Sequence, residues 1–200
     1  MKGKLLKTTI GTLALMALLA IMASAAVAAP TMTITGAVIG YGGGGTFVWS
    51  QVIEGATISV EGDATTATTA SDGTYALIVP FGPPVYPGNT ITATATYYNS
   101  AHKLLGGDAL QVKTFLLTSK ATKFVVTVKY HSKAVKGARV ACFGKSVTTN
   151  RSGVATLSSM HMKPLTSYTV TISKSGYHTL RFSARSKPGG TVNITKSLSR

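Results

Sequence analysis

From Met32 onwards, apolar side chains alternate with threonine and serine at a period of two. Met32/Ile34, Ile58/Val60, Tyr75/Leu77/Val79 and Ile91/Ala93/Ala95/Tyr97 form such rows in the first part of the chain. Phe124/Val126/Val128/Tyr130, Ala138/Val140/Cys142, Tyr168/Val170/Ile172, Leu180/Phe182 and Val192/Ile194 do so in the second. That period turns one row of a strand inward and leaves the other in water. Threonine, β-branched and polar, suits the wet row. Ser71-Asp72-Gly73 and Asn150-Arg151-Ser152-Gly153 are turn chemistry between consecutive strands. Past the N-terminal segment no ten-residue stretch has helical spacing; Ala109 to Leu117 comes nearest, and Val112 and Thr114 argue against a helix. Thr90 to Tyr98 reads as one long Thr-rich strand that could offer an exposed edge. So many short strands, each with an apolar row to cover, predict sandwiches of two sheets.

The pattern occurs twice. Gly55-Ala56-Thr57-Ile58-Ser59-Val60 aligns with Gly137-Ala138-Arg139-Val140-Ala141-Cys142, and Thr68 to Leu77 aligns with Thr148 to Leu157. Thr90 to Ala95 then aligns with Thr169 to Lys174, so the offsets are 82, 80 and 79. The first unit carries about ten extra residues, covering Tyr41 to Gln51. The reading is all-β, two tandem Ig-like or transthyretin-like β-sandwich domains after an N-terminal signal helix. The boundaries are 1–28 for the signal peptide, 29–119 for a sandwich with a Gly-rich insertion, and 120–200 for a strongly basic sandwich. Lys2, Lys4 and Lys7, an apolar run from Leu13 to Ala23 and the small residues to Ala28 make up the signal, with cleavage after Ala28 or Ala25. The alternative is that the segment stays as an anchor. Either way the chain is expected to be exported, to the cell surface or beyond.

A Gly-Ala pair, an alternating strand, a Thr-rich strand, a (Ser/Asn)-x-Gly turn and a Tyr/Leu strand resemble carboxypeptidase regulatory-like domains, transthyretin-like sandwiches similar to the B-type repeats of surface adhesins. Ser173-Lys174-Ser175-Gly176-Tyr177 looks like that family's downstream Gly-Tyr signature, where the first unit has Tyr97-Tyr98-Asn99-Ser100 instead. The resemblance covers residues 32–200. It implies a stalk, spacer or adhesive module and brings no catalytic residues.

Charge changes the picture most. The chain has 20 Lys and Arg against 5 Asp and Glu, a formal charge of +15. All five acids precede residue 120, whereas residues 120–200 hold fifteen Lys and Arg and no acid. A solvated surface ordinarily mixes both signs, and cations at this density repel one another until a polyanion relieves them. The second unit therefore reads as an anion-binding module. By alternation Lys123, Lys129, Arg139 and Arg181 face outward, and Lys174, Arg185 and Lys187 lie at strand ends or in loops. Export favours an anionic cell-envelope polymer, an acidic glycan or lipid headgroups as partner. Nucleic acid would be met through its phosphates, without sequence reading, because most aromatics of this unit fall on inward rows.

Tyr41-Gly42-Gly43-Gly44-Gly45-Thr46-Phe47-Val48-Trp49 is either a candidate ligand loop, in which Tyr41, Phe47 and Trp49 present a stacking surface to a sugar, or a long hairpin whose Trp49 caps the core. Pro80, Pro83, Pro84 and Pro87 predict an extended, unpaired connection. Met160-His161-Met162 has the ligand types of an exported copper site but stands alone, and no metal or other cofactor is expected. Cys142 sits on an inward row. With no carboxylate in the second unit and one His in the first, no nucleophile–base pair emerges, so the chain reads as non-catalytic. Three functions remain: adhesion or spacing through the basic unit, self-assembly of a structural subunit into a layer or fibre, and carbohydrate binding through the Trp49 loop.

Overall fold

A strand with one apolar row is stable only when a second sheet covers that row. This chain meets the requirement twice. The computed structural model describes residues 29–44, 47–83 and 85–200, with the backbone alone at Gly44 and Phe47. The signal segment, Gly45, Thr46 and Pro84 lie outside the described residues. Residues 31–200 form one compact unit of strands, with no helix among the described residues.

The first repeat contains β1 (Thr31–Gly44), β2 (Phe47–Val52), β3 (Thr57–Val60), β4 (Thr66–Thr68), β5 (Thr74–Pro80), β6 (Thr90–Thr94), β7 (Ala101–Leu104), β8 (Leu110–Val112) and β9 (Phe115–Thr118). Long β1 organises a five-stranded sheet: its first half pairs antiparallel with β5 and parallel with β8, its second half antiparallel with β2 and parallel with β9. The other sheet runs β4-β3-β6-β7. Met32, Ile34, Ile58, Leu77, Ile91, Phe115 and Leu117 fill the space between them.

The second repeat contains β10 (Thr122–Tyr130), β11 (Lys133–Ala134), β12 (Arg139–Cys142), β13 (Lys145–Thr148), β14 (Val154–Met160), β15 (Ser167–Ser173), β16 (Leu180–Arg185) and β17 (Thr191–Ser197). β10 pairs antiparallel with β11 and β14 and parallel with β17; the facing sheet runs β13-β12-β15-β16. Phe124, Val126, Leu157, Met160, Met162 and Ile172 are its core. Cys142 is buried there, and desolvation pushes its thiol up to about 11.

The repetition extends to single hydrogen bonds. Buried Thr69 accepts from the Ala56 N–H through Oγ1 (2.9 Å) and donates to the Ile53 carbonyl (2.5 Å). Buried Thr149 accepts from the Ala138 N–H (2.9 Å) and donates to the Val135 carbonyl (2.6 Å). In each repeat the hydroxyl adds to the backbone bonds that Thr69 exchanges with Gly55 and Ala56, and Thr149 with Gly137 and Ala138, and reaches on to the carbonyl three residues before the alanine. The turns before β5 and β14 also match, with Gly73 at φ 78° and Gly153 at φ 73°.

Two expectations need correction. Thr90 to Tyr98 is not one strand with a free edge: β6 stops at Thr94 and lies between β3 and β7. Past it, Tyr97 takes φ 73° in a turn closed by the Tyr98 N–H on the Ala95 carbonyl, so Tyr98 is buried and Tyr97 is exposed. The Pro-rich connection is not wholly unpaired, because Gly82 and Val85 exchange backbone hydrogen bonds and Val85 is buried. The outer row of the five-stranded sheet carries aliphatic side chains beside its threonines: Ile78, Leu110, Val112 and Leu116 are 59–72% exposed on it. Between Leu110 and Val112 the inward residue is Gln111, whose amide donates to the Gly106 and Asp108 carbonyls and accepts from the Gly106 N–H.

Candidate functional site

The strands of the second repeat sort its cations by register. Directly paired residues in a sheet share a face, and alternate residues along a strand do too. Arg139 pairs with Ser173, Ala141 with Thr171, Thr171 with Arg181, and Ser167 with Arg185. Arg139, Arg181 and Arg185 therefore stand on one outward face, amid the hydroxyls of Ser146, Thr148, Ser167, Thr169, Thr171, Ser173 and Ser183. Arg139 Nη2 donates to Ser146 Oγ (3.3 Å), and Arg185 Nε to the Leu165 carbonyl in the connection before β15 (2.7 Å). Ladder spacings of about 4.8 Å between strands and 3.4 Å along them set Arg139 and Arg181 roughly 12 Å apart at Cα.

Lys123 and Lys129 are not on that face. They project from β10 beside Thr191 and Ser197 of β17, on the outer side of the opposing sheet. Lys174 follows β15, with its ammonium donating to the Lys136 carbonyl. Lys187 lies in the turn before β17, against Gly190. The structure thus gathers three of the seven predicted anion-binding residues and separates the other four.

In the first repeat the glycine-rich segment continues β1 and pairs with β2 as a hairpin ribbon. Tyr41 pairs with Ser50 and Gly42 with Trp49, so Tyr41 and Trp49 point to opposite faces and share no stacking surface. Phe47 lies on β2, and its side chain is outside the described residues. Trp49 turns inward, edge-on to Tyr98 (6.5 Å between ring centres, 64° between planes), and its indole N–H donates to the His161 carbonyl of the second repeat (2.9 Å). His161 donates through Nδ1 to the Ser119 carbonyl (2.6 Å), while Met160 and Met162 on either side are buried in the core. Tyr98 Oη accepts from Gln51 Nε2 (2.9 Å), and burial raises its phenol pKa. Trp49 and His161 therefore join the repeats.

Two acids of the first repeat serve turns. Asp72 accepts from the Thr74 hydroxyl and N–H (2.7 and 2.9 Å), and Asp63 from the Thr65 N–H (2.6 Å), which lowers the pKa of each. Glu61 accepts from the Thr90 N–H (3.1 Å).

Two groups escaped the sequence reading: the aliphatic face of Ile78, Leu110, Val112 and Leu116, and Lys133 and Lys136, which meet Lys174 at one end of the second repeat. Aligning the repeats position by position would have found the lysines, because the first repeat has Gln51, Glu54 and Ala95 there.

No family model matches the chain, and no curated protein does either. Among solved structures, the chain is similar to the TIE protein of Bacillus anthracis, with 14% identity and a TM-score of 0.49; the match covers 86% of this chain and 34% of that one. It is also similar to GBS52, the minor pilin of Streptococcus agalactiae, with 12% identity and a TM-score of 0.36 over 84% of this chain and 96% of the pilin. A putative cell adhesion protein of Bacteroides fragilis shares 10% identity at a TM-score of 0.25, over 82% and 93% of the two chains.

Proposed function

We propose that the chain is an exported, non-catalytic surface module whose second repeat holds anionic envelope or matrix polymers, in an adhesive or spacer role. The observation that carries this reading is the charge partition: fifteen cations and no acid after residue 119, on a pair of four-stranded sheets. Arg139, Arg181 and Arg185 on one hydroxyl-lined face suit a flat, extended polyanion, since guanidinium groups bind carboxylate, sulfate and phosphate oxygens bidentately. Ser and Thr hydroxyls between them add neutral hydrogen bonds to the same oxygens.

The test is retention of the intact chain by a sulfated polysaccharide at two salt concentrations. Contacts through three or more cations should weaken affinity about 20-fold or more between 50 and 200 mM salt. Replacing Arg139, Arg181 and Arg185 together by Gln should flatten the log–log salt slope by two to three units. Absent or salt-independent retention overturns the proposal.

A second reading, self-assembly, draws support from the aliphatic outer face of the first repeat. An apolar row of this kind on a sheet is a surface for another protein, and here the occupant is a second copy presenting the same face. Sedimentation equilibrium should then show a concentration-dependent dimer that disappears when Leu110, Val112 and Leu116 become Ser, Thr and Ser. A strict monomer at all concentrations removes this reading.

A further inference from the structure

We propose that the cleft at the β10–β11 end of the second repeat is a specific site for a single anionic sugar residue, one carrying a carboxylate or a sulfate. The inference rests on the anion-binding reading above and assigns it a defined pocket distinct from the arginine face. The cleft has a volume of about 400 Å³, and its charged and aromatic lining is Tyr130, His131, Lys133, Lys136, Lys174 and Tyr177. That volume is at the small end of ligand pockets, right for one pyranose ring with its substituent.

Each part of the cleft has a local cause. Tyr130 ends β10, and His131 and Ser132 turn the chain back into Lys133 with φ 46° and 63°. A two-residue hairpin turn of this hand ordinarily uses Asn and Gly; here a His and a Ser hold it, at a cost in backbone energy. The turn sets the His131 ring edge-on against Tyr130 at 4.2 Å. Gly176, at φ 80°, closes the turn in which the Tyr177 N–H donates to the Lys174 carbonyl (3.1 Å). That turn brings Tyr177 to 5.3 Å from Tyr130 and Lys174 to the Lys136 carbonyl. The Lys174 ammonium spends one N–H there and keeps two for a ligand. Arg200 stacks on Tyr130 and Tyr177, at 5.1 and 5.0 Å, beside the same end.

The chain carries its own comparison. The first repeat has the corresponding cleft, about 410 Å³, lined among others by Gln51, Glu54, Ala95 and Tyr98. Gly55 and Gly137 set Gln51 and Glu54 against Lys133 and Lys136, and the equivalent turns set Ala95 and Tyr98 against Lys174 and Tyr177. The shape and the tyrosine are common to both copies, whereas the three ammonium groups belong to the second alone. In the first, Pro164 of the second repeat also stands at the cleft wall. The fold therefore supplies the cavity twice, and the sequence makes one of the two cationic.

Titration calorimetry of the intact chain tests this with three hexasaccharides: galacturonate, a sulfated glucan and the neutral glucan. Saturable one-to-one binding is expected for at least one charged hexamer, and none for the neutral one. Lys133→Gln, Lys136→Gln and Lys174→Ala together should weaken it at least tenfold. Lys→Arg at the same three positions should retain it, and Arg139→Gln, Arg181→Gln and Arg185→Gln together should cost under threefold. Which charged hexamer binds distinguishes carboxylate from sulfate. Equal losses from the cleft and face triples, loss in the Lys→Arg triple, or equal affinity for the neutral hexamer overturns the proposal. So does retention of long polymer without hexamer binding, which leaves the broader reading standing. No binding of either hexamer or polymer overturns both.

Discussion

Gly153→Ala should destabilise the chain by about 3–5 kcal/mol, read as a fall in the denaturation midpoint at unchanged slope. Gly153 has φ 73°, and a Cβ there would lie 2.6 Å from the Val128 carbonyl oxygen, 3.0 Å from Val135 N and 3.2 Å from Ala134 Cα. All three are backbone atoms, and the first two are hydrogen-bonded to each other at 3.0 Å, so relief requires breaking that bond. Left-handed strain adds about 1–2 kcal/mol to the clash. Two other glycines grade the effect. At Gly73 a Cβ would meet Val52 Cβ at 2.9 Å and the Val38 carbonyl at 3.0 Å, so alanine there should cost less. At Gly176 nothing lies within 4 Å, leaving strain alone, about 1 kcal/mol. The first repeat supports the mild value, since Tyr97 holds φ 73° at the equivalent place. A Gly176 variant as damaging as the Gly153 one would contradict this order.

Thr149→Val should cost about 2–4 kcal/mol although it preserves shape. It removes the acceptor of the Ala138 N–H and the donor to the Val135 carbonyl, leaving two buried backbone groups unpaired at about 1–3 kcal/mol each. In thermal unfolding this corresponds to a drop of about 4–16 °C for a unit of this size. Thr149→Ser keeps the hydroxyl and loses one methyl, about 1 kcal/mol. Thr69→Val should reproduce the loss in the first repeat. Serine and valine variants of equal stability would show that the methyl, and not the hydrogen-bond bridge, is what the fold requires.

The apolar alternation revealed most of the strands because each sheet has one buried row. It gives no guide where a single side chain reverses the rule. Leu110 and Val112 flank Gln111, and hydropathy alone sends the leucine and valine inward. The loop at residues 106–108 needs a side-chain amide to satisfy its backbone, and that need buries Gln111 instead. At Tyr97 the alternation misled: a tyrosine in the left-handed turn conformation carries none of the glycine signal that marks Gly176. Of the proposed sites, the arginine face follows in part, since period-two counting turns Arg139 and Arg181 outward while strand pairing alone separates their sheet from that of Lys123 and Lys129. The lysine cleft does not, because Lys133, Lys136 and Lys174 come from separate segments and converge only through two turns.

The placement of the strand that closes each repeat bears on what such a module can withstand. β10, which opens the second repeat, and β17, which ends it, run side by side in the same direction, in step from Lys123 with Thr191 to Lys129 with Ser197. β1 has the same relation to β8 and β9 in the first. Tension applied at the two ends of a repeat therefore acts along these strands and loads their rungs in shear, all at once. Peeling would break them one after another at far lower force. A tether fixed to a cell at one end and gripping a polymer at the other would meet a pull in the direction where its sheets resist most.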